Sequence, residues 1–214
     1  GPEKKARQIN HGAVILATGA HEIRPTEYLY GEDERVMTQV ELSQRLSRKD
    51  LGDPKQVVMI QCVGSRNAEN PNCSRICCQT AVKNALHIKE QYPEADVYVL
   101  YRDIRTYGLL EHFYTEARRR GVLFFRFEPE HPPKVEKTAN GIEVTFMDHV
   151  LQRPLSVAPD MLILSAGVQA TDTADLSTVL KAARSPEGFF MEAHVKLRPV
   201  DMATDGFYVC GTAH

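Results

Sequence analysis

The chain has no tryptophan and almost no net charge, 26 basic side chains standing against 28 acidic ones for a formal balance of −2. A surface so balanced exerts no electrostatic pull on nucleic acid or on an anionic membrane. No apolar run approaches the roughly 18–20 residues that a spanning helix needs, so direct membrane insertion is not expected. No secretory leader opens the sequence, which makes the cytoplasm the expected compartment. The first residues are Gly-Pro rather than Met, as in a processed chain or a fragment keeping the scar of a removed tag. Internal repeats and low-complexity tracts are missing as well. Five cysteines in 214 residues are too few and too bunched for a disulfide scaffold. No Ser/His/Asp set or carboxylate pair stands out for nucleophilic or acid–base chemistry.

What is present is a sequence of ordinary globular composition, long enough for one large or two modest domains. "GAVILATGA" (Gly12 to Ala20) reads as a buried strand entering a tight turn, "TQVELSQRL" (Thr38 to Leu46) as a helix, and "KDLGDPK" as a linker. "QVVMIQCV" is a second buried strand. "CSRICCQTAVKNALHIKEQYP" follows as a helix beginning near Cys73, with Ile76, Ala81, Ala85 and Ile88 on its inward face. "DVYVLYRD" is a strand, "LLEHFYTEARRRG" a helix and "VLFFRF" another strand. "GIEVTFMDHVLQRPLSVAPDMLILSAG" predicts a β-ribbon and a further buried strand, with "FFMEAHVKLRP" and "DGFYVCGTAH" as two final strand candidates. Alternating strands and helices in the middle of the chain predict βαβ units and a parallel sheet. The flanks, with strands but few helices, read as two pieces of one domain interrupted by the central one. The expected limits are 1–50, 51–167 and 168–214.

A dinucleotide fold would place G-x-G-x-x-G after the strand at Val57 to Gln61, so that bare backbone meets a pyrophosphate. Here the sequence is Cys62-Val63-Gly64-Ser65-Arg66, then a polar loop, then Cys73. One glycine remains, and a nicotinamide cofactor in the usual pose is not expected. Four of the five cysteines fall in this corner: Cys62 at a strand end, and Cys73, Cys77 and Cys78 at the start of the next helix. Thiolates suit zinc or an iron–sulfur cluster. The spacing C-x10-C-x3-C-C lacks the paired knuckles of common zinc sites, and adjacent Cys77 and Cys78 suit a cubane better. Small buried cysteines packing a helix on a strand, or a redox thiol pair, are the alternatives. Arg102 and Arg105 follow the third strand and read as a solvated loop, His87 and His112 as surface or packing residues, and Cys210 as core.

The stretches "CVGSRNAENPNCSRICCQTAVKNALHIKE", "VYVLYRDIRTYG" and "EAHVKLRPVDMATDGFYVCGTAH" resemble the A-subunit family of heterodisulfide reductases. The resemblance runs over essentially the whole chain. It implies a thioredoxin-reductase-like α/β fold, in which a nucleotide-binding-type parallel sheet is inserted in a partial FAD-binding domain. It implies an oxidoreductase component with a [4Fe-4S] cluster on Cys62, Cys73, Cys77 and Cys78. Ala17, Thr18 and Gly19 in "ILATGA", with Gly211 and Thr212 in the closing motif, would lie near FAD. Thr212 stands where the family motif has Asp, and the flavin strand with its own G-x-G-x-x-G is not in the sequence, so this fragment is not expected to hold FAD by itself. Partners implied are other heterodisulfide-reductase-like subunits, hydrogenase or dehydrogenase electron donors and ferredoxin. Some members carry out flavin-based electron bifurcation. Two other functions remain open at this point: a thiol–disulfide oxidoreductase domain, and a structural metal-binding or interaction domain.

Overall fold

A computed structural model describes residues 7–214; the Gly-Pro start lies outside the described residues. Short strands β1 (Val14–Leu16) and β2 (Ala20–Glu22) come first, followed by β3 (Val36–Thr38), α1 (Gln39–Arg48) and β4 (Gln56–Val63). Next are α2 (Cys77–Gln91), β5 (Asp96–Tyr101), a single 3-10 turn at Gly108–Leu110, α3 (Glu111–Arg119) and β6 (Leu123–Arg126). Then come β7 (Lys134–Thr138), β8 (Gly141–Asp148), β9 (Arg153–Val157) and β10 (Met161–Ala166). The last elements are β11 (Val168–Ala170), α4 (Ala174–Leu180), β12 (Phe207–Val209) and a 3-10 turn at Gly211–Ala213.

Two compact units result: Ile23–Gly167, and the residues up to Glu22 together with Val168–His214. The larger holds a five-stranded parallel sheet in the order β3-β10-β4-β5-β6. Its strands are β-branched and apolar because both faces are covered. Side chains alternate across the sheet. Val57 and Met59 of β4 face α1 and α2, meeting Leu42, Leu46, Ala81, Ala85 and Ile88. Val58 and Ile60 face the other way, onto Ile142, Val144 and Phe146 of β8. β8 is the middle strand of an antiparallel sheet β7-β8-β9. Helices thus cover one face of the parallel sheet and a small sheet covers the other.

Local chemistry agrees with this layout. Thr38 caps α1, its hydroxyl accepting from the Glu41 amide while the Glu41 carboxylate accepts from the Thr38 amide at 2.7 Å, a reciprocal capping box. A buried amide network ties α1, α2 and β10 together. Asn84 donates to Gln39 Oε1 at 2.7 Å, and Gln39 donates to Ser165 Oγ at 3.1 Å. The smaller unit pairs β1 with β12 in parallel and β2 with β11 antiparallel, around Leu16, Phe190, Met202, Val209 and Ala213.

Four expectations need correction. The first boundary falls after Glu22 rather than at residue 50, because β3 pairs with β10 and α1 buries Leu42 and Leu46 in the central core. The helix expected from Cys73 starts at Cys77. Arg75 adopts a left-handed φ of 59°, which no α-helix propagates through, and Ile76 is left 37% exposed instead of inward. "FFMEAHVKLRP" makes only isolated bridges, Arg184 with Phe190 and His194 with Arg198, rather than a strand. Cys210 is exposed, since its neighbour Val209 takes the inward place at the end of β12.

Gly167 closes β10 beside the cysteine corner, its amide donating to the Val63 carbonyl at 2.9 Å. A Cβ there would stand 2.7 Å from Ser65 Cβ and 3.1 Å from Ile23 Cδ1. Gly167→Ala is therefore expected to cost about 1–3 kcal/mol by overpacking, read as a lower urea midpoint with unchanged slope; an unchanged midpoint would contradict this packing.

Candidate metal centre

The corner is built by an irregularity at the end of the central strand. Leu164 of β10 pairs with Ile60 and Ala166 with Val63, so residues 60–63 of β4 span the rise of residues 164–166. The extra residue makes a bulge, a rare event in a parallel pair. Within it Cys62 takes a left-handed φ of 64°, which turns the thiol away from plain strand alternation. Gly64 and Arg66 follow with φ of 63° and 58°. A Cβ on Gly64 would also press to 3.3 Å from Ile23 Cγ2. Left-handed backbone costs a side-chain-bearing residue of order 1 kcal/mol or more, and Cys62, Arg66 and Arg75 all adopt it around one corner. Asn70 fastens the intervening loop, its side-chain amide donating to the Gly64 carbonyl at 3.1 Å.

The helix brings two thiols over the C-terminal ends of neighbouring strands, where open α/β sheets bind ligands. As thiols, Cys77 donates to the Ala166 carbonyl of β10 at 3.3 Å and Cys78 to the Asp103 carbonyl just beyond β5 at 3.6 Å. Neighbours on a helix diverge by roughly 100°, so adjacent cysteines reach opposite sides of β4. Cys62 ends that strand between them. Cys73 sits on the preceding loop, where it interacts with the charge of Arg105. Each of Cys62, Cys77 and Cys78 feels the charge of Cys73, so the four sulfurs share one electrostatic neighbourhood. Among the described residues no three His, Cys, Asp or Glu side chains converge tightly enough to hold a single ion.

Burial is the main influence on Cys62, Cys77 and Cys78. It pushes Cys77 up to about 12, helped by the other three cysteines and opposed by a hydrogen bond from Ser74. Burial raises Cys62 too, against the hydrogen bond and charge of Arg66 and the charge of Arg102. Cys78 is raised by burial as well, against the Arg105 backbone amide. The positive charge is close. Arg66 donates to Cys62 Sγ at 3.8 Å and to Asp103 at 2.7 Å; Arg105 pairs with the same carboxylate at 3.3 Å. Arg102 donates from Nη1 to the Arg66 carbonyl at 2.9 Å, yet its buried Nε has no partner, and both amide atoms of buried Gln61 lack one too. The donor set fits a multi-iron cluster. It comprises four thiols, three of them at the ends of β10, β4 and β5, with guanidiniums adjacent. It would hold such a group as thiolates, giving up the two thiol-to-carbonyl bonds.

In the smaller unit the five residues expected near FAD occupy two turns. Gly19 and Gly211 both have φ of 70°. A Cβ on Gly19 would lie 3.8 Å from Thr212 Oγ1, and nothing lies within 4 Å of one on Gly211. The turn after β1 and the turn after β12 are therefore brought together, because β1 and β12 pair. Thr171 secures the first turn by donating to the Thr18 and Gly19 carbonyls, each at 3.3 Å. Ala17 and Gly211 are exposed.

The fold is of the thioredoxin-reductase type. The thioredoxin reductase of T. acidophilum superposes with a TM-score of 0.52 at 12% identity, covering 94% of this chain and 57% of that one. Lactococcus lactis thioredoxin reductase superposes with a TM-score of 0.54 at 15% identity and the same coverage. By sequence the chain is similar to the A-subunits of heterodisulfide reductases. It is 38% identical over 222 residues to an iron-sulfur A-subunit of the CoB–CoM heterodisulfide reductase of Methanopyrus kandleri, covering 94% of this chain and 33% of that protein. It is 37% identical to the corresponding A-subunit of the H(2)/formate:CoB-CoM heterodisulfide,ferredoxin reductase of Methanococcus maripaludis, covering 99% and 35%. The chain thus spans about a third of the length of the curated relatives it matches. No family model matches it. Among the described residues no helix is long and apolar enough to cross a membrane.

Reading along the sequence missed the roles of Arg66, Arg102 and Arg105. The signal was Arg66 itself, a long cation where a phosphate loop keeps bare glycine. Because thiolate is the reactive form, the half-buried Cys77, whose thiol is pushed up to about 12, should alkylate with iodoacetamide at pH 8 at least about ten-fold more slowly than exposed Cys210. Peptide mapping of labelled sites over time checks this; equal rates would refute the burial of Cys77.

Proposed function

We propose that this chain is the core segment of an electron-transfer iron–sulfur flavoprotein of the heterodisulfide reductase type. In this reading Cys62, Cys73, Cys77 and Cys78 hold a [4Fe-4S] cluster. The observation that carries it is the gathering of four free thiols over the C-terminal ends of β10, β4 and β5, beside Arg66 and Arg105. When bound, such a cluster supplies one-electron transfer, and FAD in the whole protein supplies the exchange between electron pairs and single electrons.

The residues divide the labour. Cys62 is aimed by the bulge, Cys77 and Cys78 by the first turn of α2, and Cys73 by the loop that Asn70 fastens. All four release their protons on ligation, so loading improves with rising pH. The core beneath α2, with Ala81, Ala85 and Ile88 fully buried, holds these ligands rigidly. In the smaller unit Ala17, Thr18, Gly19, Gly211 and Thr212 would border FAD with open backbone. The whole protein would pass electrons among ferredoxin, a hydrogenase or dehydrogenase partner and further heterodisulfide-reductase-like subunits, some arrangements bifurcating them at the flavin. Thiol–disulfide exchange is disfavoured by the pKa of about 12 at Cys77, which leaves almost no thiolate at neutral pH.

Anaerobic reconstitution tests the ligand set. The chain should take up about four iron and about four sulfide, with absorbance near ~400 nm. Any one of the four Cys→Ser changes should lower retained iron by about half or more, and Cys210→Ser should not. Uptake of no iron, or equal loss in Cys210→Ser, would sink the assignment.

The same corner should reject nicotinamide dinucleotides, since Cys62 and Arg66 fill the place of bare phosphate-binding backbone. Titration with NADH or NADPH should give no saturable signal in the micromolar range; micromolar saturation would contradict this.

A further inference from the structure

Three guanidiniums and one carboxylate surround the thiols, and their arrangement exceeds what fold stability asks for. Arg66 is half-buried, strained at φ 58°, and forked between Asp103 at 2.7 Å and Cys62 Sγ at 3.8 Å. Arg105 pairs with the same Asp103 carboxylate at 3.3 Å, and its charge interacts with Cys73. Arg102 braces the Arg66 carbonyl and keeps a buried Nε without partner.

Resting on the ligand reading above, we propose that Arg66 and Arg105 are positioning residues that set the reduction potential of the group held by the four cysteines, with Asp103 as the opposing charge. One electron enters on reduction, the net negative charge of the ligated group grows by one, and no bond forms or breaks. Cations close to the ligand sulfurs favour the more negative state. Arg66 and Arg105 therefore raise the potential. Asp103, holding both guanidiniums, lowers it and fixes where the positive charge sits. The signs are opposite, which a purely structural role would not produce.

The test uses the full chain, reconstituted anaerobically as wild type, Arg66→Gln, Arg66→Lys, Arg105→Gln and Asp103→Asn. Iron and sulfide are counted first; the potential is then read by titration with dithionite followed by electron paramagnetic resonance. At a fixed potential, Arg66→Gln should lower the ratio of reduced to oxidised cluster by about three- to ten-fold, ten-fold being about 59 mV for one electron. Arg105→Gln should lower it as well, Asp103→Asn should raise it, and Arg66→Lys should stay within about three-fold of wild type. If Arg66→Gln retains too little iron to titrate, Arg105→Gln and Asp103→Asn supply the same pair of opposite signs. Shifts of the same sign, or none, in a wild-type chain that loads iron would overturn the proposal and leave the ligand set standing. A wild-type chain that takes up no iron overturns both.

Discussion

Burying negative charge demands positive charge beside it, because an uncompensated ion in a low-dielectric site costs many kcal/mol. The corner at the end of β4 is organised by that demand. Four thiols lie in a site dry enough to hold Cys77 protonated up to about pH 12. Among the groups that act on these thiols, the cations that offset ionisation are those of Arg66, Arg102 and Arg105. Cys77 and Cys78 meet that demand as thiols, donating to the Ala166 and Asp103 carbonyls. The proposed cluster would resolve it the other way, by accepting thiolates.

The rest of the larger unit provides a stiff base for this corner. Helices on one face and a small antiparallel sheet on the other bury the body of β4, so its last residues inherit a fixed direction. One inserted residue at that point turns the Cys62 thiol out of strand alternation, into the proposed ligand position. Strain in the backbone of Cys62, Arg66 and Arg75 is sustained by the packing beneath it, and strain of this kind concentrates where a site needs a specific geometry. In the related nucleotide-binding architecture that place belongs to glycine and to phosphate. Here side chains have taken it over, and the proposed chemistry changes from binding a hydride carrier to holding redox-active metal.

Much of this was legible along the sequence because it depends on period and composition. The buried strands at Gln56–Val63 and Asp96–Tyr101, the inward face of Ala81, Ala85 and Ile88, and the bunching of four cysteines follow from apolar pattern and spacing alone. What was not legible depends on backbone conformations without a sequence signature. Nothing in "CSRICC" announces that Arg75 is left-handed, so the apolar pattern starts the helix four residues early and puts Cys73 on it. Nothing in "IQCVG" announces the bulge. The grouping of residues 23–50 with the central unit rests on pairing between β3 and β10, strands more than a hundred residues apart. The arginines look like loop charges along the sequence because their partners, Asp103 and the thiols, meet them only in three dimensions.

The central claim is that four named sulfurs surround one iron–sulfur group. Anomalous diffraction at the iron edge, from crystals of the anaerobically reconstituted chain, tests it most directly. The account predicts one compact anomalous peak in the larger unit, bonded to the sulfurs of Cys62, Cys73, Cys77 and Cys78. A peak elsewhere, a single iron bound by fewer than four of them, or Cys62 directed away from the peak would contradict it.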